Sequence, residues 1–110
     1  MGDLSEAYEH LRRSLIMNIE ARSDVPIASS ILETALLMRT IGLSDARAVA
    51  AAGVAKHREL QMAIDEPNLR DLRESFGTVP EGPDETSFEE AVERAMSFLI
   101  AGSGTVQPGS

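Results

Sequence analysis

The sequence predicts an all-α fold, a small bundle of four or five helices. Apolar residues recur at intervals of three and four along several segments, which is the period of an amphipathic helix. The chain has no Trp, one Tyr and three Phe, so its core must be built from aliphatic side chains and Met. Its 110 residues suffice for one domain with a working core. We place that domain at residues 1–102 and expect a flexible tail of small residues at 103–110.

The sequence signals for the first two helices are the clearest in the chain. Asp3 is a plausible N-cap with Glu6 as its capping-box partner, and the helix is expected to continue to about Arg22. Its predicted core stripe consists of Leu4, Tyr8, Leu11, Leu15 and Ile19. A second helix is predicted from about Pro26 to Gly42, because Pro favours a first helical turn and Gly a helix end. Its broad apolar face is typical of the central helix of a bundle.

The second half of the chain is divided by its Gly and Pro residues. A short helix is predicted after the segment "DEPN" at 65–68, with Gly77 at its C-terminal end. Two Pro and a Gly in "TVPEGPDET" predict a loop at 78–86. Ser87 and Glu90 form a capping box that begins a last helix, which Gly102 is expected to close.

Residues 44–62, "SDARAVAAAGVAKHRELQM", allow two interpretations. The segments "ILETALLMRTIG" and "ARAVAAAGVAKHREL" resemble the first and second helices of TetR-type repressors, whose DNA-binding domain turns at an "AAAGV" sequence. The resemblance covers about 30 residues and implies a helix-turn-helix with its turn at Gly53. Lys56, His57 and Arg58 would then contact base edges or phosphates. The other interpretation is one alanine-rich helix, in which Gly53 lets a neighbouring helix approach closely.

The charge of the chain favours the packing interpretation. Its formal net charge is −8 and its pI about 4.6, and residues 65–110 carry ten acids against three bases. Neutralisation of phosphates dominates DNA affinity, so an acidic chain is poorly suited to nucleic acid. An interior Gly costs only about 1 kcal/mol relative to Ala and is tolerated where helices touch. We therefore expect packing at Gly53, with the helix-turn-helix as the alternative.

Several classes of function lack the residues they need. With no Cys, the chain cannot form disulfides, thiol nucleophiles or cysteine-ligated zinc sites. His10 and His57 lie on different elements, which argues against a paired-histidine metal site, and the sequence shows no base beside Ser29 or Ser30. We predict no enzymatic activity, no cofactor and no bound metal. The acidic N-terminus and the short apolar runs predict a cytoplasmic protein with no membrane segment.

The remaining features predict a module that binds another protein. Carboxylates crowd residues 81–93, and we expect a docking patch for a basic partner there. Apolar residues outside the predicted core stripes of the first two helices suggest a contact surface, for a homodimer or for another protein. The predicted protein-binding residues are Ile16, Met17, Leu37, Glu81, Asp84 and Glu85. The sequence thus predicts a regulator, adaptor or inhibitor of bacterial or phage style.

Overall fold

A computed structural model describes residues 4–80 and 86–104, with side chains for 6–80 and 86–102. Within these ranges it contains five helices and no strand, which confirms the predicted all-α bundle. The helices are α1 (Leu4–Glu20), α2 (Asp24–Thr40), α3 (Ala46–Glu59), α4 (Glu66–Phe76) and α5 (Phe88–Gly104).

Helix α2 is the central element of the bundle. It packs against each of the other four helices, and its packing with α3 is the most extensive. Buried residues occur around most of its circumference and include Ile31, Leu32 and the polar Thr34. The Thr34 hydroxyl donates to the Ser30 carbonyl at 2.8 Å, so the hydroxyl has a partner in the core. The broad apolar face in the sequence therefore predicted the position of α2 correctly.

Helix α3 runs without a break through Gly53. The alternative of two helices with a turn at this residue is wrong. A Cβ atom at position 53 would lie 2.8 Å from Leu32 Cδ2 and 3.2 Å from Ile31 Cγ1, closer than carbon atoms normally pack. A methyl group at this position would require the Leu32 side chain to shift, so Gly53 is a packing residue, as expected.

Gly42 produces the sharp connection between α2 and α3. Its φ of +86° lies in the left-handed region, where glycine has no steric penalty. The Leu43 amide donates to the Met38 carbonyl at 3.0 Å, and the Gly42 amide donates to the Arg39 carbonyl at 3.0 Å. These two bonds form a Schellman motif, the arrangement expected for a helix ending at Gly42.

Helix α5 continues beyond its predicted end. Gly102 was expected to close the helix, but α5 reaches Gly104, so the predicted tail at 103–110 begins inside it; residues 105–110 lie outside the description. A Cβ atom at Gly102 would overlap the ring of Tyr8 on α1. The Tyr8 ring also packs against Phe98, with 5.1 Å between ring centroids. The absence of a side chain at Gly102 thus serves helix packing rather than termination.

The predicted cap at Ser87 is confirmed, whereas the predicted core position of Ile19 is not. The Glu90 amide donates to the Ser87 hydroxyl at 3.1 Å, which confirms Ser87 as the cap of α5. Ile19 was assigned to the core stripe of α1, but its side chain is 36% exposed. The assignment is wrong because Ile19 lies near the end of α1. A residue at the correct helical spacing there no longer faces a neighbouring helix.

We predict that Gly53→Ala lowers the free energy of unfolding, because the added methyl group overlaps Leu32. Overpacking of this kind costs about 1–3 kcal/mol, and the higher helix propensity of Ala returns only about 1 kcal/mol. Urea unfolding followed by circular dichroism measures the difference. In a Leu32→Val background, which lacks the Cδ2 atom, the same substitution should cost less. An equal cost in both backgrounds would show that Leu32 does not limit the approach of α3.

Candidate functional site

A groove of about 520 Å³ lies between the α2–α3 connection and α5. We refer to its apolar lining residues, Met38, Leu43 and Phe98, as its floor. We refer to its polar lining residues, Asp45, Glu90, Glu93, Arg94 and Ser97, as its rim. Met38 is buried, Phe98 is half-buried and Leu43 is 40% exposed, so the floor presents apolar surface to solvent.

The Schellman motif after α2 positions part of this floor. Leu43 is the second residue beyond the helix end, and Met38 lies in the last turn of α2, where a Schellman motif commonly brings two apolar side chains together. Ile41, on the other side of Gly42, is also 40% exposed. The local sequence "MRTIGL" therefore places an apolar edge at the end of the central helix.

The rim of the groove carries negative charge. Arg94 Nη2 lies 2.9 Å from Glu90 Oε2, an ion pair one helical turn apart on α5. Asp45 and Glu93 have no ion-pair partner among the described residues. Asp45 occupies the N-cap position of α3, yet its side chain makes no capping hydrogen bond. Three carboxylates against one guanidinium give the groove a net negative potential.

The predicted protein-binding residues do not converge on this groove. Ile16 is half-buried and Met17 is 67% exposed on α1, and neither lines the groove. Leu37 was predicted to point away from the core, but its side chain is half-buried against the core, so that placement is wrong. Glu81, Asp84 and Glu85 lie outside the described residues.

The three residues of the DNA-binding alternative do not form an exposed basic patch. Lys56 Nζ lies 2.8 Å from Glu59 Oε2 and 4.6 Å from the centroid of the Phe88 ring. The hydrogen bond to Glu59 is the main cause of the raised pKa of Lys56. His57 is only 3% exposed. Arg58 is exposed and interacts within the chain. The contact role implied for His57 is wrong because its ring is part of the α2–α3 interface.

His57 brings a base close to Ser29, which sequence reasoning missed. Its Nδ1 atom lies 2.9 Å from the Gly53 carbonyl oxygen, and Nε2 lies 3.4 Å from Ser29 Oγ. Because a carbonyl only accepts, Nδ1 donates to Gly53, and in a neutral imidazole this leaves Nε2 to accept from the Ser29 hydroxyl. Ser29 and His57 are 28 positions apart, so no local pattern indicates the pair. The arrangement links α2 to α3 through a partly buried polar contact.

Glu33 lies in a small group of titratable residues near His10 and Asp65. Partial desolvation of its carboxyl raises the pKa of Glu33, the neighbouring Asp65 carboxylate raises this pKa further, and His10 lowers it. His10 itself is exposed. In the described part of the chain, no group of three or more acidic or histidine side chains is arranged to hold a metal ion.

No protein-family model, curated protein or solved structure matches this chain. None of the helices in residues 4–80 and 86–104 is long and apolar enough to cross a bilayer.

We predict that Glu33→Gln raises the free energy of unfolding at pH 7 and has less effect at pH 4. A carboxyl whose pKa is raised by folding contributes stability that is fully present below its unfolded value, about 4.5. That stability is lost as pH rises through the folded pKa, and Gln removes the loss. Urea unfolding across this pH range measures the difference.

Asp65→Asn supplies the control for this prediction. Loss of the neighbouring carboxylate should lower the pKa of Glu33, which can be followed by NMR titration of its side-chain carboxyl carbon. A stability difference between wild type and Glu33→Gln that does not change from pH 4 to pH 7 would contradict the raised pKa.

Proposed function

We propose that the protein is a small non-enzymatic regulator that binds another protein through the groove between the α2–α3 connection and α5. The observation that supports this proposal most strongly is the combination of an exposed apolar floor with a negatively charged rim. Fully burying a side chain of the size of Leu contributes about 1.5–3 kcal/mol, so a partner that covers Leu43 and Phe98 gains affinity from a few contacts.

The chemistry of the groove selects the partner. An apolar side chain of the partner would rest on Leu43 and Phe98, while flanking Lys or Arg side chains would meet Asp45 and Glu93. Rim charges of this kind increase the association rate and discriminate against acidic partners. A short amphipathic helix with one basic edge has both features, since helices commonly present apolar anchors to grooves.

Homodimer formation and a cytoplasmic location are also proposals. Within the described residues Met17 is the most exposed large apolar side chain on α1, and it is the candidate anchor for the homodimer expected from the sequence. We place the binding function in the cytoplasm, where a chain without cysteine needs no oxidative folding. Since α3 lacks a turn at Gly53, no geometric observation favours DNA as the partner.

We predict that Leu43→Ala weakens the complex with the partner about tenfold, mainly through faster dissociation, because it removes apolar contact from the groove floor. Glu93→Lys should weaken the complex through slower association, most strongly at low salt. The partner is isolated by cross-linking at a photoreactive residue replacing Ser97, then purified and titrated against each variant.

Glu74→Lys is the matched control, because it makes the same charge change on α4, outside the groove. It should leave both rate constants close to the wild-type values at moderate salt. A partner whose affinity is unchanged by Leu43→Ala and responds equally to both charge reversals would show that the groove is not the binding site.

A further inference from the structure

A second opening, a cleft of about 490 Å³, lies between the C-terminal part of α3, the connecting residues 60–65 and α4. Helix α4 packs mainly against α2, which leaves the cleft between α4 and α3. Met62, Ile64 and Leu69 supply apolar surface to its walls, and Val54, which also lines it, is only 2% exposed. Its volume falls in the range typical of small-molecule sites, about 300–1,000 Å³. It shares no lining residue with the groove of the proposed function.

The charge of this cleft is opposite to that of the chain as a whole. The protein has a formal net charge of −8, yet among the described residues Arg58 and Arg73 line the cleft together with one acidic residue, Glu66. The guanidinium of Arg73 is exposed and has no ion-pair partner among the described residues. Arg58 already interacts within the chain, so Arg73 is the cation available to a ligand.

His57 forms part of the wall rather than a second anchor. Its Nδ1 proton is held by the Gly53 carbonyl at 2.9 Å, and its Nε2 atom faces the Ser29 hydroxyl at 3.4 Å. Neither nitrogen is therefore directed at a ligand as a donor. The cleft thus combines apolar lining residues with one available guanidinium, which can pair with a carboxylate through two parallel hydrogen bonds.

We propose that the cleft between α3 and α4 binds a small organic anion, a single carboxylate on a short unbranched hydrocarbon chain. The carboxylate pairs with Arg73, and the hydrocarbon chain lies against Leu69, Ile64 and Met62. This site is independent of the protein-binding groove, and either proposal can fail without the other.

Octanoate and its neutral analogue octanamide are the probes, with NMR chemical-shift titration of the full chain as the measurement. Octanoate should bind saturably and shift the amide signals of Val54, Ile64 and Leu69. Octanamide should bind about tenfold more weakly, since a charge-assisted hydrogen bond is about twice as strong as a neutral one. Inorganic phosphate, which lacks the hydrocarbon chain, should produce no saturable shift at these residues.

The Arg73→Gln variant should weaken octanoate binding about tenfold and leave octanamide binding unchanged. Arg70→Gln removes the same charge from an exposed position on α4 that does not line the cleft, and should leave both affinities unchanged. Equal losses in the two variants, equal affinities for octanoate and octanamide, or shifts centred on other residues would overturn the proposal. Absence of saturable octanoate binding to the wild-type chain would overturn it as well.

Discussion

The close approach of α3 to α2 at Gly53 is the contact on which the rest of the structure depends. With only a hydrogen atom at this position, the α3 backbone lies against Leu32 and Ile31 of the central helix. The alanines that precede Gly53, Ala50, Ala51 and Ala52, are buried as well, so small side chains extend the contact along α3. Both candidate sites follow from this placement, because the groove includes the connection that precedes α3 and the cleft includes its C-terminal part.

The fold class could be predicted from the sequence because helical periodicity is a local property. The stripe of α1, the broad apolar face of α2 and the Ser87 cap all depend on residues within a few positions of one another. The choice between one helix and a turn at Gly53 is different, since a run of small residues suits both. The neighbouring side chain of Leu32 decides it, and its position depends on tertiary packing. Leu37 was placed outside the core for a similar reason. The distribution of apolar residues around one helix does not show how many neighbouring helices surround it.

The candidate sites could be predicted only in part. The acidic character of residues 81–93 was visible, and Glu90 and Glu93 from that run lie on the groove rim. The apolar floor could not be predicted from the sequence, because Leu43 and Phe98 come from distant segments that meet only in the folded chain. The same limit applies to Ser29 with His57, and to the cleft in which residues of α3 and α4 face each other. The Ser29–His57 contact and the cleft depend on how α3 packs rather than on a local motif.

Amide hydrogen exchange at residues 53–56 tests most directly whether α3 is continuous at Gly53 and packed against α2. In a continuous helix docked on α2, the amides of Gly53, Val54 and Ala55 are bonded to carbonyls one turn earlier. They should exchange nearly as slowly as the amides of Ile31 and Leu32, through global unfolding. Rapid exchange at Gly53 and Val54, comparable to that of the connecting residues 61–65, would reveal a turn at this position. That result would contradict the packing of α3 on which both candidate sites depend.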